Sequence, residues 1–86
     1  MTKNELERLA ESLEQAAEVF GYYVEEYRCC KDVSVKDALT RSEVAMGTTY
    51  DIAIMLGIEN AYEIKETGIK QGQGKFIELQ SHKEVS

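Results

Sequence analysis

One apolar series runs unbroken through the first third of the chain and restricts its fold more than any other feature. It comprises Leu6, Leu9, Leu13, Ala16, Phe20, Tyr23, Tyr27 and Cys30, spaced alternately three and four residues apart. That spacing returns a side chain to the same stripe at every helical turn, so the segment reads as a helix packed along its length against another. Glu7, Glu11, Glu14, Glu18 and Glu25 recur on the opposite side, a stripe that faces water or a basic partner. Thr2 or Asn4 can cap this helix, and Glu5 and Glu7 suit its N-terminal dipole. Gly21 falls off the apolar stripe, where it costs about 1 kcal/mol of propensity relative to alanine and bends the helix rather than ending it.

The first helix is expected to stop near Lys31, with Asp32-Val33-Ser34 as the turn and Ser34 as the next N-cap, Asp37 standing at the third helical position. A second helix follows through Leu56, carrying Val35, Leu39, Ser42, Met46, Thr49, Ala53 and Leu56 on one face, widened by Ala38, Ala45 and Ile52. Its weak point is Gly47-Thr48-Thr49, a candidate kink or break. Gly57 then stands where a C-capping glycine belongs. Ile58 to about Glu66 forms a short third helix, after which Gly68, Gly72 and Gly74 are expected to end regular helix. Phe76-Ile77-Glu78-Leu79-Gln80 has weak strand character.

The expected fold is therefore all-α: an antiparallel helical hairpin, a short third helix, and an irregular or weakly extended C-terminal tail. Residues 1–66 make the helical domain, and residues 67–86 a tail or short ribbon packed on it. Two helices alone leave part of each apolar face uncovered, so two copies are expected to pair as a homodimer, a four-helix bundle with coiled-coil character.

Charge narrows the function. The 86 residues carry a formal net charge of −6. Residues 1–33 hold eight acids against four bases, residues 34–60 four against two, and residues 61–86 four against four. Such a balance argues against non-specific nucleic-acid or anionic-membrane binding, both of which need local positive charge. No apolar run approaches the roughly 20 residues of a membrane-spanning helix. The opening residues pass straight into an acidic amphipathic segment, unlike a signal peptide. Cys29 and Cys30 are adjacent, a poor geometry for a disulfide and too few ligands for structural zinc. A reduced, cytoplasmic protein is the expectation, with Cys29 open to oxidation and Cys30 in the core.

No grouping of residues suggests catalysis, and no cofactor or metal is expected. His82 is the only histidine, Glu14 and Glu18 lack an accompanying Glu-x-x-His pair, and Gly74-Lys75 lacks the spacing of a phosphate loop. Candidate partner-binding residues are the acidic stripe, Glu7, Glu11, Glu14, Glu18 and Glu25, together with Tyr22 and Tyr50 on the flanks of the helical faces. A small acidic interaction module, an adaptor or inhibitor that meets a basic protein through a helical surface, is the leading expectation. The first alternative is a DNA-binding regulator. Asp51-Ile52-Ala53-Ile54-Met55-Leu56-Gly57-Ile58 resembles the first half of a helix-turn-helix unit over residues 50–66. Its second half departs from that pattern: Glu63 and Glu66 stand where apolar residues belong. A structural subunit of a larger assembly is the second alternative.

Overall fold

The computed structural model describes the backbone of residues 2–85 and the side chains of residues 2–81. Three helices account for nearly all of it: α1 (Lys3–Cys30), α2 (Val33–Met55) and α3 (Ala61–Val85). There is no strand among the described residues. α1 is the middle helix. α2 runs antiparallel beside it, with Val19 and Tyr23 facing Ala38, Arg41 and Ser42 across a shallow hollow. α3 returns parallel to α1 on its other flank, while α2 and α3 scarcely touch away from the turn that joins them. The result is an elongated molecule measuring 47 × 25 × 16 Å.

Local chemistry sets the helix ends. Thr2 caps α1, its hydroxyl accepting from the Glu5 amide at 3.2 Å. Asp32, not Ser34, caps α2, so the helix begins earlier than the sequence suggests. Its carboxylate accepts both from the Ser34 amide and from the Ser34 hydroxyl, each at 2.9 Å. The backbone bond, aided by the hydroxyl, holds the Asp32 carboxyl below its ordinary value of 3.8. Lys31 ends α1 in the left-handed region at φ 50°, its amide donating to the Tyr27 carbonyl at 2.9 Å. At the end of α2, Gly57 takes φ 86° and its amide donates to the Ile54 carbonyl, while the Ile58 amide reaches back to Ala53. That pair of bonds is a Schellman motif, and it requires the positive φ that glycine adopts without steric cost.

Two expectations about helix continuity are corrected. Gly47 does not divide the second helix, since α2 is continuous from Val33 to Met55. The tail is neither irregular nor extended: residues 67–85 belong to α3, a helix of 25 residues. The reason lies in tertiary packing. Gly68 and Gly72 are four residues apart on one face and press that face against α1. A Cβ placed on Gly72 would lie 1.9 Å from the Glu18 carbonyl oxygen, and one on Gly68 would lie 2.7 Å from the Ala17 Cβ. Gly21 does the same from the α1 side, where a Cβ would lie 2.1 Å from the Ile69 carbonyl oxygen. Ala17 and Gly21 thus form a small-residue strip on α1 matched to the strip on α3, and the two backbones approach to where only glycine fits.

The core is thin. Leu13 is the one large side chain that is fully buried among the described residues. With Ala53 and Ala61 it forms the centre of the turn end of the molecule, backed by Leu9, Tyr50, Ile58 and Ile64. Towards the other end Phe76 is buried, its ring edge-on to Tyr22 with centroids 5.4 Å apart. Phe20, Tyr23 and Tyr27 of the predicted seam are only half-buried. Cys30, expected in the core, is exposed, and so is every residue from Arg28 to Ser34.

Candidate protein-binding surface

The structure divides the acidic stripe. Glu7 and Glu11 are exposed, as the sequence pattern requires of a free face. Glu14 and Glu18 are half-buried, because the small-residue strip that receives α3 lies between the apolar seam and the glutamates. Glu18 pairs with Lys75 of α3. Glu25, whose side chain is 13% exposed, pairs with Arg28 one turn along at 3.2 Å. Tyr22 is half-buried between α1 and α3, against Phe76 and edge-on to Tyr23. Tyr50 packs on the Leu13 cluster, with the Lys65 ammonium 4.7 Å above its ring centroid. Of the seven candidate residues, Glu7 and Glu11 are the fully exposed ones. The His82 side chain lies outside the described residues.

A surface feature that the sequence reading missed sits at the turn end. Ile52, Ile54, Met55 and Leu56 fall within five residues, and all four are exposed, Met55 by 82%. Tyr62, in the first turn of α3, adds a fifth large exposed side chain at 58%. These side chains encircle the end of α2 because the helix buries only its Ala53 face there. Beside them an open, largely apolar cleft of about 330 Å³ lies between α1 and the turn. Leu6, Ala10 and Ile58 line it, together with the charged residues Lys3, Glu7 and Glu59. The signal available in the sequence was the run Ile52 to Ile58, which is apolar at every position except Gly57 and cannot all face inward from one helix.

Charge and apolar surface coincide at this end. Residues 2–14 and 50–66 make up the turn end, and together they hold eight acids against three bases. That leaves eight acids against seven bases elsewhere, so −5 of the net −6 lies around the exposed apolar residues. One of the three bases, Lys65, is engaged internally: its ammonium stands 4.7 Å from the Tyr50 ring and 5.0 Å from the Tyr62 ring, and 3.9 Å from a Glu66 carboxylate oxygen. This clamp ties α3 to the end of α2.

No group of three or more histidine, cysteine, aspartate or glutamate side chains among the described residues is arranged to hold a metal ion. No helix among them is long and apolar enough to cross a membrane. No known protein family, curated protein or solved structure matches the chain.

Proposed function

We propose that the chain is a small acidic protein–protein interaction module, an adaptor or an inhibitor, whose helical surface is completed by another polypeptide. The observation that carries this reading is the surface left open. The molecule exposes 6013 Å², whereas a compact monomer of its mass exposes about 5,100 Å². The excess goes with the elongated shape and the thin core, which leave apolar side chains uncovered. Exposed isoleucine, leucine, methionine and tyrosine make up part of that surface, and exposed apolar patches of this kind mark interaction sites. Self-association belongs to the same reading: two hairpins could meet along the half-buried Phe20, Tyr23 and Tyr27 seam as a four-helix bundle, with the α3 helices outside.

DNA reading gains less from the geometry. The first turns of α3 present Glu63 and Glu66, and their lysine is held between two tyrosine rings. A recognition helix needs free donors at those positions.

Capture on the immobilised full chain tests the reading. A bound protein from the source extract should be lost on reversing the exposed Glu7 and Glu11 to lysine, with helicity unchanged. Light scattering behind size exclusion, run across concentration, reports self-association independently. A chain that stays monomeric at every concentration and captures no protein would refute the reading.

A further inference from the structure

We infer that the turn end is the docking site for a basic amphipathic segment of a partner protein, one large apolar side chain of which enters the cleft between Leu6, Ala10 and Ile58. The inference rests on the interaction-module reading and specifies its surface and its occupant. Three observations converge on it. The cleft, at about 330 Å³, has room for one or two large apolar side chains and is open to solvent along the surface. Ile52, Ile54, Met55 and Leu56 stand exposed at the same end of the molecule. The same end holds five of the six net negative charges, with Glu7 and Glu59 against the single base Lys3 at the cleft itself.

Charge selects the occupant. A second copy docking here through the same end would oppose two acidic crowns, since each copy brings the same excess. An anionic membrane surface is repelled for the same reason. A segment bearing leucine or phenylalanine flanked by lysine and arginine satisfies both properties together: the apolar anchor is desolvated in the cleft, and the bases meet the glutamates around it. Lys65, the one base near α2 at this end, is withdrawn between Tyr50 and Tyr62 and so does not oppose such a ligand.

The test uses the full chain, isotopically labelled, and two synthetic amphipathic helices as probes. One is built of leucine and lysine, the other of leucine and glutamate. The lysine peptide is expected to shift the amide resonances of residues 6–10 and 52–62. The glutamate peptide should leave them in place. Reversing Glu7 and Glu59 to lysine should weaken the first peptide about tenfold, a modest loss because both charges are exposed and screened by solvent. Met55→Gln, a neutral change of similar size at an exposed position that leaves folding intact, should weaken it independently of salt. Equal binding of both peptides, shifts confined to the Phe20–Tyr27 seam, or no binding would each overturn the inference. So would a dimer, detected by light scattering, whose formation buries residues 52–58. If the lysine peptide is ignored while the chain still captures a protein or self-associates elsewhere, the docking site falls and the interaction-module reading stands. If all three are absent, both fall.

Discussion

Substituting alanine for Gly72 should destabilise this protein although alanine is the better helix former. In the native structure the added Cβ would lie 1.9 Å from the Glu18 carbonyl oxygen and 2.8 Å from the Tyr22 amide nitrogen, both backbone atoms of α1. Backbone cannot rotate aside as a side chain can. Ordinary contact begins near 3.4 Å, so α1 and α3 must separate by about 1.5 Å locally, and a gap of 0.5–1 Å already forfeits a quarter to a half of the attraction between facing atoms. Overpacking of this kind costs typically 1–3 kcal/mol, and the upper end applies because no rotamer relieves it. Alanine returns about 1 kcal/mol through helix propensity. The net expectation is a loss of about 2 kcal/mol, a sizeable share of the roughly 4–13 kcal/mol available to a chain of this length. Gly74, two residues along the same helix, supplies the control: a Cβ there meets nothing within 4 Å, so Gly74→Ala should gain about 1 kcal/mol. Urea unfolding followed by far-ultraviolet circular dichroism reads both midpoints. If Gly72→Ala unfolds at the same urea concentration as wild type or higher, the close approach of α1 and α3 is refuted.

Further outcomes follow from the helix ends and the tyrosine clamp. Lys31→Gly should raise the urea midpoint by an amount equivalent to about 1 kcal/mol, because it relieves a left-handed lysine, whereas Lys31→Val should lower it. Lys65→Met should cost about 1 kcal/mol and speed hydrogen exchange at the end of α2, while Lys65→Arg keeps the ring contacts and most of the stability. The Asp32 carboxyl has a lowered pKa in the folded state, so its charge-dependent contribution is present above the ordinary value of 3.8 and lost as pH falls through the lower folded value. The stability gap between wild type and Asp32→Ala should accordingly stay level from neutral pH to about pH 5 and narrow below 3.8. Leu13→Ala should cost about 2–5 kcal/mol in the same assay, since no other large side chain among the described residues is fully buried.

The hairpin was legible in the sequence because α1 and α2 bury side chains at helical spacing, a signal carried by each segment alone. The Gly57 cap was legible for a similar reason: a Schellman turn is made within a few consecutive residues. α3 was not. Its contact with α1 is made by what the chain lacks at Gly21, Gly68 and Gly72, and read locally those glycines mark interruptions. Their meaning depends on a partner strip some fifty residues away, and only the four-residue spacing of Gly68 and Gly72, repeated in Ala17 and Gly21, hinted at it. The acidic stripe shows the same limit. Its periodicity identified Glu7 and Glu11 as exposed, but nothing within α1 announced that a third helix would partly cover Glu14 and Glu18. The turn-end patch was not legible because Ile52 and Leu56 fit the inward face of α2 by spacing, whereas the helix buries only Ala53 there.

The glycine face of α3 has a kinetic corollary. A helix with three glycines between residues 68 and 74 forfeits about 3 kcal/mol of intrinsic propensity relative to alanine, more than a free peptide of this length can supply. Its coiling is therefore conditional on α1, which must be helical before α3 has a template to wind upon. Native-state hydrogen exchange should show residues 68–81 opening as one unit, at a lower free energy than α1 and α2. Any ligand that competed for the Ala17–Gly21 strip would do more than displace a helix: it would return that segment to coil, and the order of the last third of the chain would report on whether the strip is occupied.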